Sequence, residues 1–461
     1  MLKTIAKRCF SCGKLKAPKV CIVGAGPAGF YAAQHLHKKL VGAEIYIIES
    51  LPVPFGLVRF GVAPDHPEVK NVIHTFTKTA EAPNVKFHGN IALGQNVSLD
   101  ELRRCYNIVL LTYGAEENRQ LNIPGETLGN VITAKKIVGW YNGVPSDRNL
   151  QIDLSGDTVA IIGQGNVAVD VARMLLSPPD QLKNTDITEY SLSHLSQSKV
   201  QTVHLIGRRG PLQAAYTIKE LREMLKLKNC RTVWRKDDFQ AIPRDIVDTL
   251  PRPKKRITEL MLESVETGSN GDPSEKVFNP MFLRSPLEVL GKSTVEKLVL
   301  CKNRLTGQDY TKQVAVATDS TEILDCSMVI PSIGYHSKQA DPNIPFDANI
   351  GRVNNARGKI DTGLYTSGWL ATGPVGVILF TMSNAFGVAE LIIEDIAKEN
   401  ILQEPKAGFE ELKTILDARH IQIVEWEDWK KIDEYEVKQG AQVGKPREKV
   451  VDIQQMLEIA A

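Results

Sequence analysis

The chain has 461 residues, of which 43% are hydrophobic and 24% are charged, and its formal net charge is +2 at neutral pH. This length allows two or three domains with cores of their own, and the composition is that of an ordinary globular protein. A net charge near zero gives no general attraction to nucleic acid, and no apolar run approaches the roughly 20 residues that span a bilayer.

The N-terminal residues 1–17 are basic, and the first acidic residue of the whole chain is Glu44. A basic, acid-free and weakly amphipathic start is typical of a mitochondrial presequence, although a merely basic disordered tail has the same composition. No continuous apolar segment of the secretory kind is present in it. We therefore predict a presequence over residues 1–17 and an intracellular protein.

Cysteine usage agrees with that compartment. The seven cysteines are scattered, which favours reduced thiols. The one Cys-x-x-Cys pair, Cys9 with Cys12, lies in the predicted presequence, and we interpret it as incidental. The cysteines of the folded part therefore do not predict a functional disulfide.

The first motif of the folded part is Gly24-Ala25-Gly26-Pro27-Ala28-Gly29, which follows an apolar run over 20–23 and precedes a helical stretch over 28–39. This context predicts a Rossmann phosphate turn, with a pyrophosphate at the start of the helix. The next predicted strand, 43–48, ends at Glu49. A carboxylate there accepts hydrogen bonds from a ribose 2′-hydroxyl and repels a 2′-phosphate, so this half suits FAD or NAD; the alternative is a solvated acid at a strand end.

A predicted strand over 106–112 closes this half, and a second fingerprint, Gly163-Gln164-Gly165-Asn166-Val167-Ala168, follows a strand over 159–162. Its next strand, 202–206, ends in Gly207-Arg208-Arg209-Gly210. Two guanidiniums in place of the acid match the oxygens of a 2′-phosphate and predict NADP(H), although a solvated basic turn is the alternative. Residues 177–198, rich in Ser, Pro and Asp, are predicted to form an inserted surface loop.

A strand over 326–330 ends the second half, and the chain then returns to the first. We predict an α/β fold with two Rossmann-like domains, the NADP domain being inserted in a discontinuous FAD domain. A short strand over 364–366 precedes a helix from Gly376 to about Lys398. The tail 409–461 is polar and helical in places, with Trp426 and Trp429 packing on the outside. The predicted divisions are a presequence 1–17, FAD domain 18–115 and 330–461, and NADP domain 116–329. The tail is assigned to the FAD domain only by the family resemblance described next, because its own pattern does not place it.

Several longer segments resemble the adrenodoxin reductases, the mitochondrial NADPH:ferredoxin oxidoreductases. They are more specific than the glycine fingerprints, and the resemblance extends from about Lys19 to Glu458. The segments are 53–67, 139–143, 207–213, 219–223 and 444–449. The resemblance implies FAD and NADP(H) as cofactors, and no metal site is predicted.

The fingerprints and the resemblance together give a set of expected cofactor contacts. Those to FAD are Gly24, Gly26, Ala28, Gly29, Glu49, Leu57, Leu93, Trp369, Gly376, Val377 and Ile378. Those to NADPH are Gln164, Gly165, Asn166, Val167, Arg208, Arg209, Glu220 and Gly376. Glu220 has three possible roles: it holds a ribose hydroxyl, it holds a nearby arginine, or it is a solvated helix position.

The resemblance also implies a proton path near the flavin through His66 and Asp170. Histidine titrates near neutral pH, and protons must reach or leave the flavin. Each residue has a structural alternative. His66 lies in a Pro-Asp-His-Pro turn and would then only fix the loop, whereas Asp170 would cap or pair within its helix.

Charge suggests where a protein partner docks. Between Lys219 and Arg256 there are 12 Lys/Arg against 6 Asp/Glu. By resemblance, Arg222, Arg252 and Arg256 are the expected contacts to an acidic [2Fe–2S] ferredoxin, because a basic surface steers an acidic partner. A solvated charged surface is the alternative.

The function implied by the resemblance is electron transfer from NADPH through FAD to that ferredoxin. It would take place in the mitochondrial matrix, with at most peripheral contact to the inner membrane. The ferredoxin would feed mitochondrial P450s, iron–sulfur synthesis or haem A synthesis, and the sequence does not choose among them. Two alternatives remain open: an NADPH-dependent flavoprotein with a different acceptor, and a non-catalytic FAD-binding redox sensor.

Overall fold

The computed structural model describes residues 17–268, 272, 274–376, 378–398, 401–402 and 404–461. All but the last residue of the predicted presequence lie outside the described residues, as do Cys9, Cys12 and Val377. The five cysteines of the described part are buried and free. No described helix has both the length and the hydropathy to cross a membrane.

Short strands and helices alternate along most of the chain. The strands are β1 (Lys19–Val23), β2 (Glu44–Ile48), β3 (Val85–Gly89), β4 (Ile108–Leu111), β5 (Glu117–Asn118), β6 (Thr158–Ile162), β7 (Thr202–Ile206), β8 (Cys230–Thr232), β9 (Lys276–Met281), β10 (Arg284–Leu290), β11 (Lys297–Thr306), β12 (Val314–Asp325), β13 (Met328–Pro331), β14 (Tyr335–His336), β15 (Phe346–Asp347), β16 (Arg352–Val353), β17 (Lys359–Asp361), β18 (Leu364–Thr366) and β19 (Val424–Glu425). The helices are α1 (Pro27–Lys39), α2 (Leu57–Phe60), α3 (Pro67–Lys70), α4 (Ile73–Ala80), α5 (Leu99–Cys105), α6 (Ala134–Asn142), α7 (Asn166–Leu176), α8 (Pro179–Leu182), α9 (Glu189–Ser196), α10 (Ile218–Leu225), α11 (Arg244–Thr249), α12 (Arg252–Thr267), α13 (Trp369–Thr372), α14 (Ile378–Lys398), α15 (Phe409–Ala418), α16 (Trp426–Gln442) and α17 (Ile453–Ala460).

The chain divides into two compact units. The first unit comprises the described residues up to Glu117 and those from Gly334 onward, and the second unit is Asn118–Ile333. The predicted boundary after residue 329 needs correction because it would cut β13, whose Val329 and Ile330 pair with the central strand β6. Which dinucleotide each unit holds remains a prediction.

The first unit is built on a sheet in the order β17-β18-β4-β1-β2-β3-β19. The strands β18, β4, β1, β2 and β3 run parallel, and β17 and β19 pair antiparallel at the two ends. The inner strands are almost wholly apolar and buried, as parallel strands covered on both faces must be. β1 lies between β2 and β4, so the chain order reverses there. A dinucleotide crevice is expected outside the carboxyl ends of strands at such a reversal.

The second unit repeats this arrangement. Its parallel sheet has the order β13-β6-β7-β9-β8, with the strand before the second fingerprint, β6, between β7 and β13. A separate antiparallel sheet, β10-β11-β12, belongs to the same unit. The two parallel sheets with their helices confirm the predicted α/β class with two Rossmann-like units.

The inserted segment 177–198 is not the surface loop that its composition suggested. It contains α8 and α9, and its apolar side chains join the core of the second unit. The buried ones are Leu182, Ile187, Leu192 and Leu195. Their burial outweighs the loop-like Ser, Pro and Asp content, because each buried aliphatic side chain contributes about 1.5–3 kcal/mol.

The C-terminal tail is also more integrated than expected. β19 adds to the edge of the first sheet, and α16 follows it directly. Trp426 and Trp429 are only 8% and 3% exposed, so the prediction that they pack on the outside is wrong. Gly376 is not helical, and the described part of the helix predicted from it is Ile378–Lys398.

Candidate functional site

The first glycine turn has a geometry that requires glycine at two of its positions. Gly24 has φ +112°, and a Cβ added there would lie 2.8 Å from the carbonyl carbon and oxygen of Thr112. A Cβ on Gly29 would lie 2.1 Å from the carbonyl oxygen of Gly24. Thr112 also donates its hydroxyl to the carbonyls of Val23 and Gly24, both at 2.9 Å. The turn is thus packed tightly on its protein side.

Gly26, in contrast to Gly24 and Gly29, lies next to open space. A Cβ built on it meets no described atom within 4 Å, and its φ of −83° is open to any residue. Space therefore lies in front of the N-terminus of α1, where the helix dipole and unpaired backbone N–H groups favour an anion. A pyrophosphate fits this position, and a side chain would fill it.

Glu49 is held at the adjoining strand end. One of its carboxylate oxygens accepts a hydrogen bond from the backbone N–H of Ala25 at 2.8 Å, and the other accepts from the Ser50 hydroxyl at 2.8 Å. Burial raises the pKa of Glu49, while these hydrogen bonds lower it. The carboxylate is therefore fixed beside the turn, at the place where an adenosine ribose lies in such folds.

Two further predicted FAD contacts lie at the same turn. A Cβ on Gly368 would lie 2.7 Å from the Cβ of Ala28, which brings α13 and its first residue, Trp369, to the start of α1. A Cβ on Gly56 would lie 3.1 Å from the Cα of Gly26, and Leu57 follows at the start of α2. The structure thus brings Ala28, Leu57 and Trp369 to one edge of the sheet.

The remaining predicted FAD contacts are placed less directly. Leu93 is buried in the core of the first unit, and Gly376, with φ +85°, is exposed just before α14. Ile378 is the first described residue of that helix. Sequence reasoning missed Asn384, whose side-chain oxygen accepts from the backbone N–H of Gly368 at 2.8 Å. A polar residue within the apolar sequence of α14 was the available signal.

The second glycine turn repeats the first. Gly163 has φ +141°, and its Cβ would lie 2.2 Å from the carbonyl oxygen of Ser332. A Cβ on Gly165 meets no described atom within 4 Å, which leaves space at the start of α7 for a second pyrophosphate. Ala168 stands where the first turn has Gly29, and it is fully buried.

The side chains of the second turn contact other residues of the protein. Gln164 donates its amide to the carbonyl of Leu205 at 2.8 Å, at the end of β7. Asn166 accepts from the backbone N–H of Thr217 at 2.8 Å, and Val167 packs against the core. Any contact of these residues with a nucleotide would therefore come mainly from the backbone of the turn.

Arg208 and Arg209 directly follow β7, and both are exposed. Their backbone carbonyls are anchored: Arg208 accepts from the Asn303 amide at 2.8 Å, and Arg209 accepts from the Leu283 N–H at 3.1 Å. Burial lowers the pKa of Lys254, and the positive charge of Arg209 lowers it further. This edge of the second unit is therefore positively charged and suited to a phosphate.

A buried charge network lies behind the second turn. Arg173 is 3% exposed and donates to Asp170 at 2.7 Å and to Glu220 at 3.0 Å. Glu220 is itself buried, so its interpretation as a solvated helix position is wrong, whereas the expected pairing with an arginine is present. Sequence reasoning missed Arg173, although its i, i+3 spacing from Asp170 in an otherwise apolar helix was a signal.

The other predicted functional residues are placed on short or exposed elements. His66 is buried and precedes α3 as its N-cap residue. Arg222 lies on α10, and Arg252 and Arg256 lie on the first turns of α12. All three arginines are exposed, and the two helices pack against each other.

Comparisons with known proteins cover both units. Residues 18–228 match the family model described as Pyridine nucleotide-disulphide oxidoreductase. The mitochondrial NADPH:adrenodoxin oxidoreductase of Drosophila melanogaster is 53% identical over 96% of this chain and 93% of its own length. The Homo sapiens protein of the same name is 46% identical over 96% of this chain and 92% of its own length. Among solved structures, Mycobacterium tuberculosis FprA in complex with NADPH matches with a TM-score of 0.92 and 35% identity, covering 96% of this chain and 100% of that one.

Proposed function

The chain belongs to the NADPH:adrenodoxin oxidoreductase family, and on that premise we propose that it transfers electrons from NADPH, through bound FAD, to a [2Fe–2S] ferredoxin. The observation that carries the proposal is the pair of glycine turns. Each leaves space at a helix N-terminus, and one is flanked by an acid whereas the other is flanked by two arginines. The relatives' name favours this function over a different acceptor or a redox sensor.

The first turn is the proposed FAD site. Gly26 lets the backbone approach the pyrophosphate, and the fixed carboxylate of Glu49 accepts hydrogen bonds from the ribose. The first residues of α2, α13 and α14 complete this edge of the first unit. When bound, FAD would accept two electrons as a hydride and release them one at a time, as a [2Fe–2S] cluster requires.

The second turn is the proposed NADPH site. Gly165 leaves room for the pyrophosphate, and Arg208 with Arg209 offers planar donors to the 2′-phosphate of NADPH. NADH lacks that phosphate and would gain nothing from the arginines. We therefore expect a strong preference for NADPH.

The buried network around Arg173 gives Glu220 a positioning role in this proposal. Arg173 holds both carboxylates, so α7 of the second turn is fixed to α10. His66 and Asp170 keep their proposed part in proton transfer. Substituting His66 with Gln tests it, because unchanged rates of flavin reduction and reoxidation would remove His66 from the mechanism.

Docking of the ferredoxin is proposed at the exposed arginines of α10 and α12. Arg222, Arg252 and Arg256 present positive charge to solvent, which would steer an acidic partner and make binding salt-dependent. The α12 run also contains Lys255, which is paired with Asp248 at 2.7 Å. The unpaired charge of the surface therefore depends more on the arginines than on Lys255.

We propose the mitochondrial matrix as the location. The relatives are named mitochondrial, and the basic start of the chain has the composition of a presequence. Contact with the inner membrane would be peripheral at most.

Anaerobic titration with NADPH tests the first half of the proposal. Bleaching of the flavin absorbance by about one equivalent of NADPH is expected, because one hydride carries the two electrons that FAD accepts. A purified chain that holds FAD but is not bleached by NADPH would instead favour the non-catalytic sensor.

A further inference from the structure

Segment 53–61 lies directly against the first glycine turn. The backbone N–H of Phe55 donates to the carbonyl of Ala25 at 2.9 Å, and Gly56 approaches the Cα of Gly26. Phe55 has φ +82°, a value that a bulky side chain rarely adopts. Such a conformation costs about 1–3 kcal/mol and persists only where the surroundings enforce it, often at ligand clamps.

The surroundings that enforce it come from α16. The ring of Phe55 makes edge contacts with Trp426 and Trp429, with centroids 6.2 and 5.9 Å apart. The guanidinium of Arg59, at the end of the same segment, lies 5.3 Å from the Trp429 ring. Segment 53–61 is thus enclosed between the glycine turn and α16.

An ion pair fixes this arrangement. Arg59 and Glu436 are 3% and 0% exposed, and both guanidinium Nη atoms contact the carboxylate, one of them at 2.9 Å. Glu436 also accepts from Arg447 at 3.2 Å and from the backbone N–H of Val450 at 3.0 Å. The carboxylate is therefore saturated with donors, and the bidentate pair fixes orientation as well as distance.

Such a pair is weak evidence for stability. Removing two charges from water costs about as much as their attraction returns, and an apolar pair of similar volume is often no less stable. What an apolar pair cannot supply is the fixed geometry of two parallel hydrogen bonds. The two buried charges therefore point to a role in placing segment 53–61.

We propose that Arg59 and Glu436 are positioning residues that hold segment 53–61 against the first glycine turn, so that α16 retains the dinucleotide bound there. This inference rests on the proposed function, which puts FAD at that turn. It predicts that the pair controls the lifetime of bound FAD. NADPH binding in the second unit should not depend on it.

The experiment measures FAD dissociation from the purified full-length holoenzyme, followed by the rise of free-flavin fluorescence after dilution. Arg59→Met should release FAD at least about tenfold faster, because binding-site variants act mainly on dissociation rates. Arg59→Lys keeps the charge but loses the bidentate geometry, so its FAD dissociation rate should lie between those of wild type and Arg59→Met. The NADPH KM of FAD-saturated protein should stay within twofold of wild type.

A matched control lies in the second unit. Arg284 is a mostly buried arginine that pairs with the buried carboxylate of Asp238, and Arg284→Met should lower the thermal stability without changing FAD release. If Arg59→Met does not fold, Arg59→Met combined with Glu436→Leu tests the same point, since the double variant leaves neither Glu436 nor Arg59 as a buried charge without its partner. The double variant should release FAD faster than wild type.

Unchanged FAD release in folded variants would overturn the inference, and the pair would then be a fold contact only. If the wild-type chain binds no FAD, both the proposed function and the positioning role of Arg59 and Glu436 are overturned. If the wild-type chain binds FAD and the variants release it at the wild-type rate, only the positioning role is overturned.

Discussion

The carboxylate of Glu49 accepts a hydrogen bond from the backbone N–H of Ala25 at 2.8 Å. This contact joins the end of one parallel strand to the glycine turn that follows its neighbour. It fixes an acid beside the space in front of Gly26, so in the proposed FAD site the same few residues would set the positions of the pyrophosphate and the ribose. In that proposal the acid would repel a 2′-phosphate from the first unit.

We expect Glu49→Ala to weaken FAD binding by about 10- to 100-fold, the loss for removing charged hydrogen-bond partners. Flavin released at equilibrium measures this directly. Glu44→Ala is the matched control, because Glu44 lies at the amino end of the same strand, away from the glycine turn. An equal loss of FAD from both variants would contradict the ribose role.

The two open glycines should separate binding from folding. Gly26→Ala and Gly165→Ala add a methyl group that meets no described atom, so unfolding free energies should stay within about 1 kcal/mol of wild type. Gly26→Ala should lose FAD, whereas Gly165→Ala should keep FAD and lose NADPH affinity, each by at least about tenfold.

Gly29→Ala is the contrasting variant. Its Cβ would lie 2.1 Å from the Gly24 carbonyl oxygen, so it should destabilise the fold itself. Thermal unfolding and cofactor titration together distinguish the cases. Normal FAD binding by a folded Gly26→Ala protein would contradict the pyrophosphate position.

Much of this architecture could be predicted because local patterns determine it. The glycine spacings, the apolar strands before them and the charges after the next strands all act within one βαβ unit, so short stretches of sequence carried the signal. The fold class followed from them, whereas the family was indicated by the longer segments that resemble it. The side chains of Gln164 and Asn166 show the limit, since their partners Leu205 and Thr217 lie far along the chain.

The errors have the same cause. Segment 177–198 reads as a loop by composition, and only the tertiary structure shows that Leu182 and Ile187 reach the core. Trp429 packs on Phe55, and Glu436 pairs with Arg59, over separations that no periodicity records. Contacts between residues so far apart in the sequence are known only from the tertiary structure.

Charge reversal tests the docking surface. Arg252→Glu combined with Arg256→Glu should raise the ferredoxin KM by about tenfold or more at low salt, while reduction of ferricyanide is unchanged. The effect should shrink as salt screens the charges. Arg304→Glu, an exposed arginine on β11, is the control. An equal fall in both activities would show that the arginines do not dock the ferredoxin.

The stability of the fold at acid pH should depend on the contact between α5 and the end of α15. Arg419 binds Glu101 through two hydrogen bonds, of 2.7 and 3.0 Å, and lowers the pKa of Glu101 to about 2 from an ordinary value of 4.5. Since the folded pKa is the lower one, the stabilisation is present above pH 4.5 and is lost as the pH falls toward 2.

Glu101→Gln should therefore cost about 1 kcal/mol at neutral pH, through the lost ion pair and helix cap, and should flatten the loss of stability below pH 4.5. Thermal unfolding at a series of pH values measures this. Glu427→Gln, an exposed acid at the start of α16, serves as the control. A parallel pH profile for wild type and Glu101→Gln would contradict the assignment.

The most direct measurement is the rate of NADPH-driven reduction of a one-electron acceptor, with and without a [2Fe–2S] ferredoxin, in wild type and in Arg208→Ala with Arg209→Ala. We predict ferredoxin-dependent transfer that is strong with NADPH and weak with NADH, and a loss of about tenfold or more in the NADPH preference of the double variant. Flavin bleaching by NADPH without any ferredoxin-dependent transfer would contradict the ferredoxin reductase function.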